Sequence, residues 1–275
     1  MTGSLAGTST LVTGGGSGIG LACARRVVLD GGSVTLMGRT RDRVRAAAWA
    51  LRTDAPRGAS VRWLAGDVAD EEAVSSAVAL ATESGPLHAA VLAATRGRVA
   101  PLVLLERSAW QAVLDTNLTG AFLCLKHAGA AMARTGGGSI VAISSVAAVR
   151  PHRFMAAYAA SKGGLDMLVA TAADELGVAR VRVNSVRPGL VPTERPAGLD
   201  TDEGVRSDYL AQTPLERLGT TDEVAAVVRF LIGPESGWIT GEAISVDGGH
   251  HLRRGPDLEP WVRSAYGDDA AEGRV

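Results

Sequence analysis

Thr13-Gly14-Gly15-Gly16-Ser17-Gly18-Ile19-Gly20 closes an apolar run that starts at Thr10 and opens a helical pattern that continues to Leu29. A turn this rich in glycine between a strand and a helix lets bare backbone approach whatever lies above it. The N–H groups and partial positive charge of the helix N-terminus then suit an anion. Glycine also lets the helix pack closely on its strand. On its own such a turn is a weak signal. At the first strand-to-helix junction of an alternating chain, its expected occupant is the pyrophosphate of a dinucleotide.

The alternation extends outward from that turn. Candidate strands are Thr10–Thr13, Ser33–Met37, Val61–Ala65, Ala89–Ala93, Ser139–Ser144, Arg180–Val186 and Ala243–Val246. Helical patterns fall at Ile19–Leu29, Arg43–Arg52, Glu71–Ser84, Ala109–Arg134, Tyr158–Leu176 and Asp222–Ile232. Strands alternating with helices predict an α/β fold, with a doubly wound parallel sheet of about seven strands covered by helices on both faces. The 275 residues are 46% hydrophobic but only 4% aromatic, so the core must be built from Ala, Val, Leu and Ile. Asp70 is a candidate N-cap, and Thr220 with Glu223 a candidate capping box. No composition break divides the chain, which predicts a single domain over 1–251. The polar stretch at about 190–214, with Pro and Gly, is expected to be a mobile loop with one short helix. The tail 252–275 is expected to end in disorder.

A net charge of −1 provides no field for nucleic acid or an anionic membrane, and neither is an expected partner. Cys23 and Cys124 fall in apolar helical stretches and are expected to be buried and inert. No histidine or cysteine spacing predicts a metal site. His152 is expected to be a solvated surface residue. The N-terminal MTGSLAGTSTLVTGG lacks the form of a signal peptide, and a cytoplasmic location is expected.

Where the second strand ends, at Leu36-Met37-Gly38-Arg39-Thr40, the acidic residue that would bind a ribose 2′-hydroxyl is missing. Arg39 stands there, and its guanidinium suits a 2′-phosphate, so NADP(H) is favoured and NAD(H) remains possible. Asp67, followed by Val68, ends the third strand. Its carboxylate either accepts a hydrogen bond from an adenine amino group or caps the next helix.

Taken in order, TGGGSGIG at 13–20, Asp67, Asn117 in DTNLTG, Ser145 in IVAISSVAA, Tyr158-Ala-Ala-Ser-Lys162, Arg187-Pro188-Gly189 and Val246-Asp247-Gly248-Gly249 resemble the short-chain dehydrogenase/reductase family over about residues 7–250. Gly14, Gly18 and Gly20 match its compact TGxxxGxG branch, and the whole is similar to 3-oxoacyl-acyl-carrier-protein reductases. The resemblance implies a Rossmann-type fold and hydride transfer between a nicotinamide and a ketone or secondary alcohol. It also implies a homo-oligomer, a tetramer or a dimer, with the helices at 109–134 and 158–176 at the interface. One departure stands out: Leu92-Ala93-Ala94-Thr95 replaces the usual Asn-Asn-Ala-Gly.

Tyr158 and Lys162 are four residues apart, hence neighbours on one helix face. A free phenol titrates near pH 10, and bringing that to neutrality requires about 4 kcal/mol of differential stabilisation. A nearby ammonium and an oxidised nicotinamide would both favour the phenolate. Tyr158 is therefore expected to pass the proton to or from the substrate oxygen. The resemblance implies that Ser145 holds that oxygen, and that Asn117 stabilises a helix kink and a water linking Lys162 to solvent. Cofactor contacts are implied at Gly14, Gly16, Ser17, Gly18, Ile19, Gly20, Arg39, Thr40, Asp67, Val68, Ala93, Ala94, Tyr158, Lys162, Pro188, Gly189, Val191 and Thr193. Alternatives are a dehydratase or epimerase on the same scaffold, or a protein that senses NADP(H) without turnover.

Overall fold

In the computed structural model the described residues are 5–193 and 202–274. Short apolar segments form seven strands: β1 Ser9–Thr13, β2 Ser33–Gly38, β3 Val61–Ala65, β4 Leu87–Leu92, β5 Gly138–Ile143, β6 Val181–Pro188 and β7 Ala243–Val246. They build one sheet in the order β3-β2-β1-β4-β5-β6-β7, every neighbouring pair parallel. The helices are α1 Gly18–Leu29, α2 Arg41–Asp54, α3 Glu71–Thr82, α4 Arg107–Leu114, α5 Gly120–Arg134, α6 Ala156–Gly177, α7 Glu203–Ala211, α8 Thr221–Ile232, α9 Glu259–Tyr266 and α10 Asp268–Ala271.

Side chains alternate across each strand, so one sheet supplies two cores. Val12, Ala89, Val91, Val141 and Ile143 pack with α1, α2 and α8 on one face. Leu11, Ala90, Leu92, Ile140 and Ala142 pack with α3, α5 and α6 on the other. A sheet covered on both sides buries every position of an inner strand, as in β1, where Leu11 and Val12 are flanked by the small polar side chains of Ser9, Thr10 and Thr13. The strand ends lie within two residues of expectation. Cys23 and Cys124 are buried, and burial pushes both thiols up to about 12.

The local signals at helix starts act as read. Asp70 accepts from the backbone N–H groups of Glu72 and Ala73, a cap worth about 1 kcal/mol. Thr220 and Glu223 form a reciprocal capping box. At the end of β7, the Asp247 carboxylate accepts from the N–H groups of Gly249 and His251. This holds a turn in which Gly248 and Gly249 have φ of +62° and +88°, pressed against Thr213 and Pro214.

Two expectations are corrected. The pattern at 109–134 is not one helix. It is α4 and α5 joined by a π-helical segment, Asp115–Thr119, in which the Asn117 side chain is drawn onto neighbouring backbone. As far as residue 274 the tail is packed rather than disordered. Leu258 and Val262 are fully buried, and Ala270 and Ala271 nearly so. Ion pairs from Arg254 to Asp208 and from Arg153 to Glu259 tie the segment down. A charged composition concealed the few apolar anchors. Of the loop expected at about 190–214, residues 194–201 lie outside the described residues, and α7 supplies the short helix.

Leu258 packs with Met155, Val205 and Tyr209, and removing a buried leucine side chain typically costs about 2–5 kcal/mol. In Leu258→Ala, amide exchange should accelerate across 259–271 while the strand amides keep their protection. Equal acceleration in the strands would show instead that the tail and sheet unfold together.

Candidate active site

The sheet changes winding direction between β1 and β4, and at such a switch point the loops leaving the carboxyl ends of the strands diverge to leave a crevice. A cavity of about 530 Å³ occupies this crevice. Its floor begins at the glycine turn. Gly14 has a φ of +65°, and a Cβ there would stand 2.7 Å from the Ala93 carbonyl carbon. At Gly20 a Cβ would stand 2.5 Å from the Gly14 carbonyl oxygen. The two glycines thus bring β1, β4 and α1 to backbone contact. Ser17, the N-cap of α1, makes no side-chain capping bond, so its hydroxyl does not satisfy the first-turn N–H groups facing the cavity. Such a cradle fits a pyrophosphate.

Arg39, Thr40, Arg43 and Asp67 line the end of the cavity beyond β2 and β3. An Arg39 Nη1 atom stands 3.8 Å from a carboxylate oxygen of Asp67. Both side chains are about half exposed, so this pair adds little stability and leaves the guanidinium able to turn toward a ligand. Asp67 does not cap α3, a role taken by Asp70. It accepts instead from the Ala69 N–H at 3.1 Å.

The departure at Leu92-Ala93-Ala94-Thr95 keeps its backbone bonds. The Ala93 N–H donates to the Thr13 carbonyl at 3.2 Å, and the Ala94 N–H to the Thr13 hydroxyl at 3.4 Å. The next residues are held by Asn117. Its Oδ1 accepts from the Arg96 N–H at 2.7 Å and from the Thr95 hydroxyl at 3.3 Å. Its Nδ2 donates to the Arg96 carbonyl and the Ser161 hydroxyl, each at 2.9 Å. Asn117, expected to support the helix kink, does not line the cavity and stands one layer behind it.

Ser145, Tyr158 and Lys162 meet at the cavity wall with Pro188, Gly189, Val191 and Thr193. Lys162 is 1% exposed, and its Nζ donates to the Ile143 carbonyl at 2.7 Å. That Nζ lies 5.6 Å from the centre of the Tyr158 ring. Ser161 donates to the Tyr158 carbonyl at 2.7 Å, which continues the Asn117 contact into the same turn of α6. The Ser145 hydroxyl accepts from the Ala147 N–H at 3.1 Å, an arrangement that leaves its own O–H to donate. Thr193 lies over the glycine turn, 3.1 Å from where a Gly18 Cβ would be. All the expected cofactor residues line this one cavity.

The far wall was not anticipated. Val99, His152, Met155, Leu190 and Tyr209 line it. His152 is not solvated but buried, beneath Gly255 of the tail and beside the Tyr209 and His250 rings. Burial holds its imidazole below its ordinary titration range. No local signal marks Tyr209. Among the described residues, no group of His, Cys, Asp and Glu could hold a metal ion.

Comparisons with known proteins agree on this architecture. Residues 14–251 match the family model described as enoyl-(acyl carrier protein) reductase. The chain is 40% identical over 247 residues to the short-chain reductase protein NovJ of Streptomyces niveus, covering 87% of this chain and 92% of that protein. It is 36% identical over 242 residues to the 3-oxoacyl-[acyl-carrier-protein] reductase MabA of Mycobacterium tuberculosis, covering 88% and 92%. A solved short-chain type dehydrogenase/reductase from Mycobacterium ulcerans superimposes with a TM-score of 0.96 at 40% identity, covering 98% of this chain and 99% of that one.

Gly14→Ala would force a methyl group against the Ala93 backbone from a left-handed conformation, at a cost on the order of 1–3 kcal/mol. Dinucleotide affinity, titrated by tryptophan fluorescence, should fall at least about tenfold. An unchanged Kd would show that this turn is not the cradle.

Proposed function

The chain belongs to the short-chain dehydrogenase/reductase family and is an NAD(P)(H)-dependent oxidoreductase of carbonyl and alcohol groups; from that premise we propose that Tyr158, Lys162 and Ser145 carry the reaction, that Asn117 positions them, and that NADP(H) is the preferred cofactor. The observation that carries the residue assignment is the burial of Lys162 at 1% exposure behind Tyr158 in the cavity wall.

A bound nicotinamide supplies or accepts the hydride. The protein's own residues handle the proton and the developing charge. During reduction the Tyr158 phenol gives its proton to the substrate oxygen, and during alcohol oxidation its phenolate takes the proton away. The Lys162 ammonium, screened from water and fixed to the Ile143 carbonyl, favours the phenolate electrostatically. The Ser145 hydroxyl, oriented by the Ala147 N–H, donates to the substrate oxygen and stabilises negative charge as it forms. Asn117 works at one remove. It fixes the 95–96 backbone below the cavity and, through Ser161, the turn of α6 that carries Tyr158.

The cofactor assignment has Gly14, Gly16, Ser17, Gly18, Ile19 and Gly20 cradling the pyrophosphate, with Asp67, Val68, Ala93 and Ala94 toward the adenosine and its ribose. Pro188, Gly189, Val191 and Thr193 face the nicotinamide. Arg39, Thr40 and Arg43 surround the place a 2′-phosphate would take. The substrate is a ketone or secondary alcohol, with 3-oxoacyl, steroid-like and secondary-metabolite carbonyls as the candidate classes. Exposed apolar side chains at Phe122 on α5 and Met167 on α6 support a homo-oligomer joined through those helices. A cytoplasmic location is in keeping with two unpaired thiols, and no helix among the described residues is long and apolar enough to cross a membrane.

Tyr158→Phe removes the proton donor while keeping the ring. Turnover of ketones, followed at 340 nm, should fall about 10²–10⁴-fold with cofactor affinity preserved; turnover near the wild-type rate would remove Tyr158 from the mechanism. Arg39→Ala deletes a charge-assisted contact worth about 1.5–3 kcal/mol. The kcat/KM ratio of NADPH to NADH should drop roughly 10- to 100-fold, whereas an enzyme that already prefers NADH contradicts the cofactor assignment.

A further inference from the structure

The cavity wall beyond Tyr158 is apolar at Val99, Met155 and Leu190 but carries two polar groups, His152 and Tyr209. Their orientation follows from their partners. His152 Nδ1 lies 2.9 Å from the Arg150 carbonyl. A carbonyl only accepts, so Nδ1 holds the ring hydrogen and Nε2 presents a lone pair. Among the described residues, Thr10 Oγ1, Arg26 Nε and His250 Nδ1 are the sealed side-chain polar atoms without a partner. His152 Nε2 and the Tyr209 hydroxyl are not sealed. Both residues are over nine-tenths buried, so what remains open of them faces the cavity they line. The wall therefore offers one hydrogen-bond acceptor and one donor.

Both groups are uncharged at neutral pH. Burial keeps the imidazole deprotonated. Burial first, and then the negative charge that Tyr158 can carry, pushes the Tyr209 phenol well above its ordinary range. The pair is also held in place. The ring centres of His152 and Tyr209 are 6.3 Å apart, and the His250 ring meets Tyr209 edge-on at 5.3 Å. The tail pins α7, which carries Tyr209, through paired bonds of 2.6 and 3.1 Å from Arg254 to Asp208. Arg253 adds a bond of 2.6 Å to the Ala211 carbonyl. Tyr209, Met155 and Leu258 form one cluster, against which Tyr158 packs, so the pair borders the reacting position.

We propose that His152 and Tyr209 form a second polar subsite that hydrogen-bonds an uncharged hydroxyl carried by the substrate away from its reacting carbon. The substrate is then a hydroxylated ketone rather than an otherwise plain hydrocarbon ketone. A hydroxyl matches the pair because it both donates and accepts. A carboxylate would meet one neutral donor and one repelling lone pair, with no positive charge on either side chain of the pair. This inference rests on the carbonyl/alcohol reading given above and names the substrate class for the same site.

The test uses the full-length enzyme with NADPH and matched cyclic ketones: cyclohexanone and 2-decalone, their ring-hydroxylated derivatives, and the corresponding carboxylates. Wild-type kcat/KM should favour the hydroxylated member by about tenfold or more, the size expected of one or two neutral hydrogen bonds. In Tyr209→Phe and in His152→Phe that ratio should collapse toward one, and His152→Gln, which keeps an acceptor, should restore much of it. A merely structural role would lower both members together and leave the ratio unmoved, which overturns the subsite. So does a wild-type preference for the plain ketone or for the carboxylate. Absence of NADPH oxidation with every ketone, despite measurable NADPH binding, defeats the carbonyl-reduction reading itself and the subsite with it.

Discussion

A missing side chain at Gly14 sets the geometry of the site. With a Cβ at that position, the first turn could not lie against the backbone at Ala93, 2.7 Å away, and β1 and β4 could not both end beneath the cavity. The contact sits at the point where the sheet reverses its winding, so it bears on the width of the crevice that the topology opens there. The first turn of α1 then points its N–H groups into that crevice because Gly20 rests on the Gly14 carbonyl. Electrostatic attraction for a pyrophosphate is thus a consequence of packing, achieved without any basic side chain in the turn.

A second constraint is the burial of Lys162. Taking an ammonium out of water is costly unless its hydrogens are satisfied, and the Ile143 carbonyl at the end of β5 supplies one partner at 2.7 Å. The same bond ties α6 to the central strand, so the register of the helix on the sheet and the position of Tyr158 one turn earlier are set together. Asn117 secures the other side of this arrangement. Its side-chain amide makes four hydrogen bonds from within the π-helical turn at 115–119, a form of helix often found at functional sites. The local irregularity and the regular helix beside it serve one placement.

How much of this was legible follows from the range of each signal. The glycine turn, the strand-helix alternation, the Asp70 cap and the Thr220–Glu223 box are determined by residues within a few positions, and they appear in the structure within a residue or two of where the pattern puts them. Tyr158 and Lys162 are a helical i, i+4 pair and so could be placed on one face. The kink at Asn117 is implied by the resemblance, but its π-helical form over 115–119 has no local signal, because the partner of Asn117 lies in a different loop, at 95–96. The order of the tail is hidden for a similar reason: Leu258, Val262, Ala270 and Ala271 are too few among charged residues to form a pattern, and what holds Leu258 is the apolar cluster with Met155, Val205 and Tyr209. His152 looked exposed because its neighbours Pro151 and Arg153 are a loop's composition. Its burial depends on Gly255, about a hundred residues away.

The division between legible and hidden residues coincides with a division of labour. The groups proposed to handle the proton and the dinucleotide stand on strand ends and on the helices packed against them. The groups proposed to meet the rest of the substrate stand on the 150–155 loop and α7, and are braced by the tail outside the sheet. Those elements are joined to one another by side-chain ion pairs and a small apolar cluster, not by the hydrogen-bonded ladder of the sheet. Residues there can change without altering the register of β1, β4 and β5. The reacting position is therefore rigidly specified by the fold, while the shape and polarity opposite it are set by contacts that the fold leaves open. The wall at His152 and Tyr209, built on elements that the sheet does not fix, is where the proposed choice of substrate would be made.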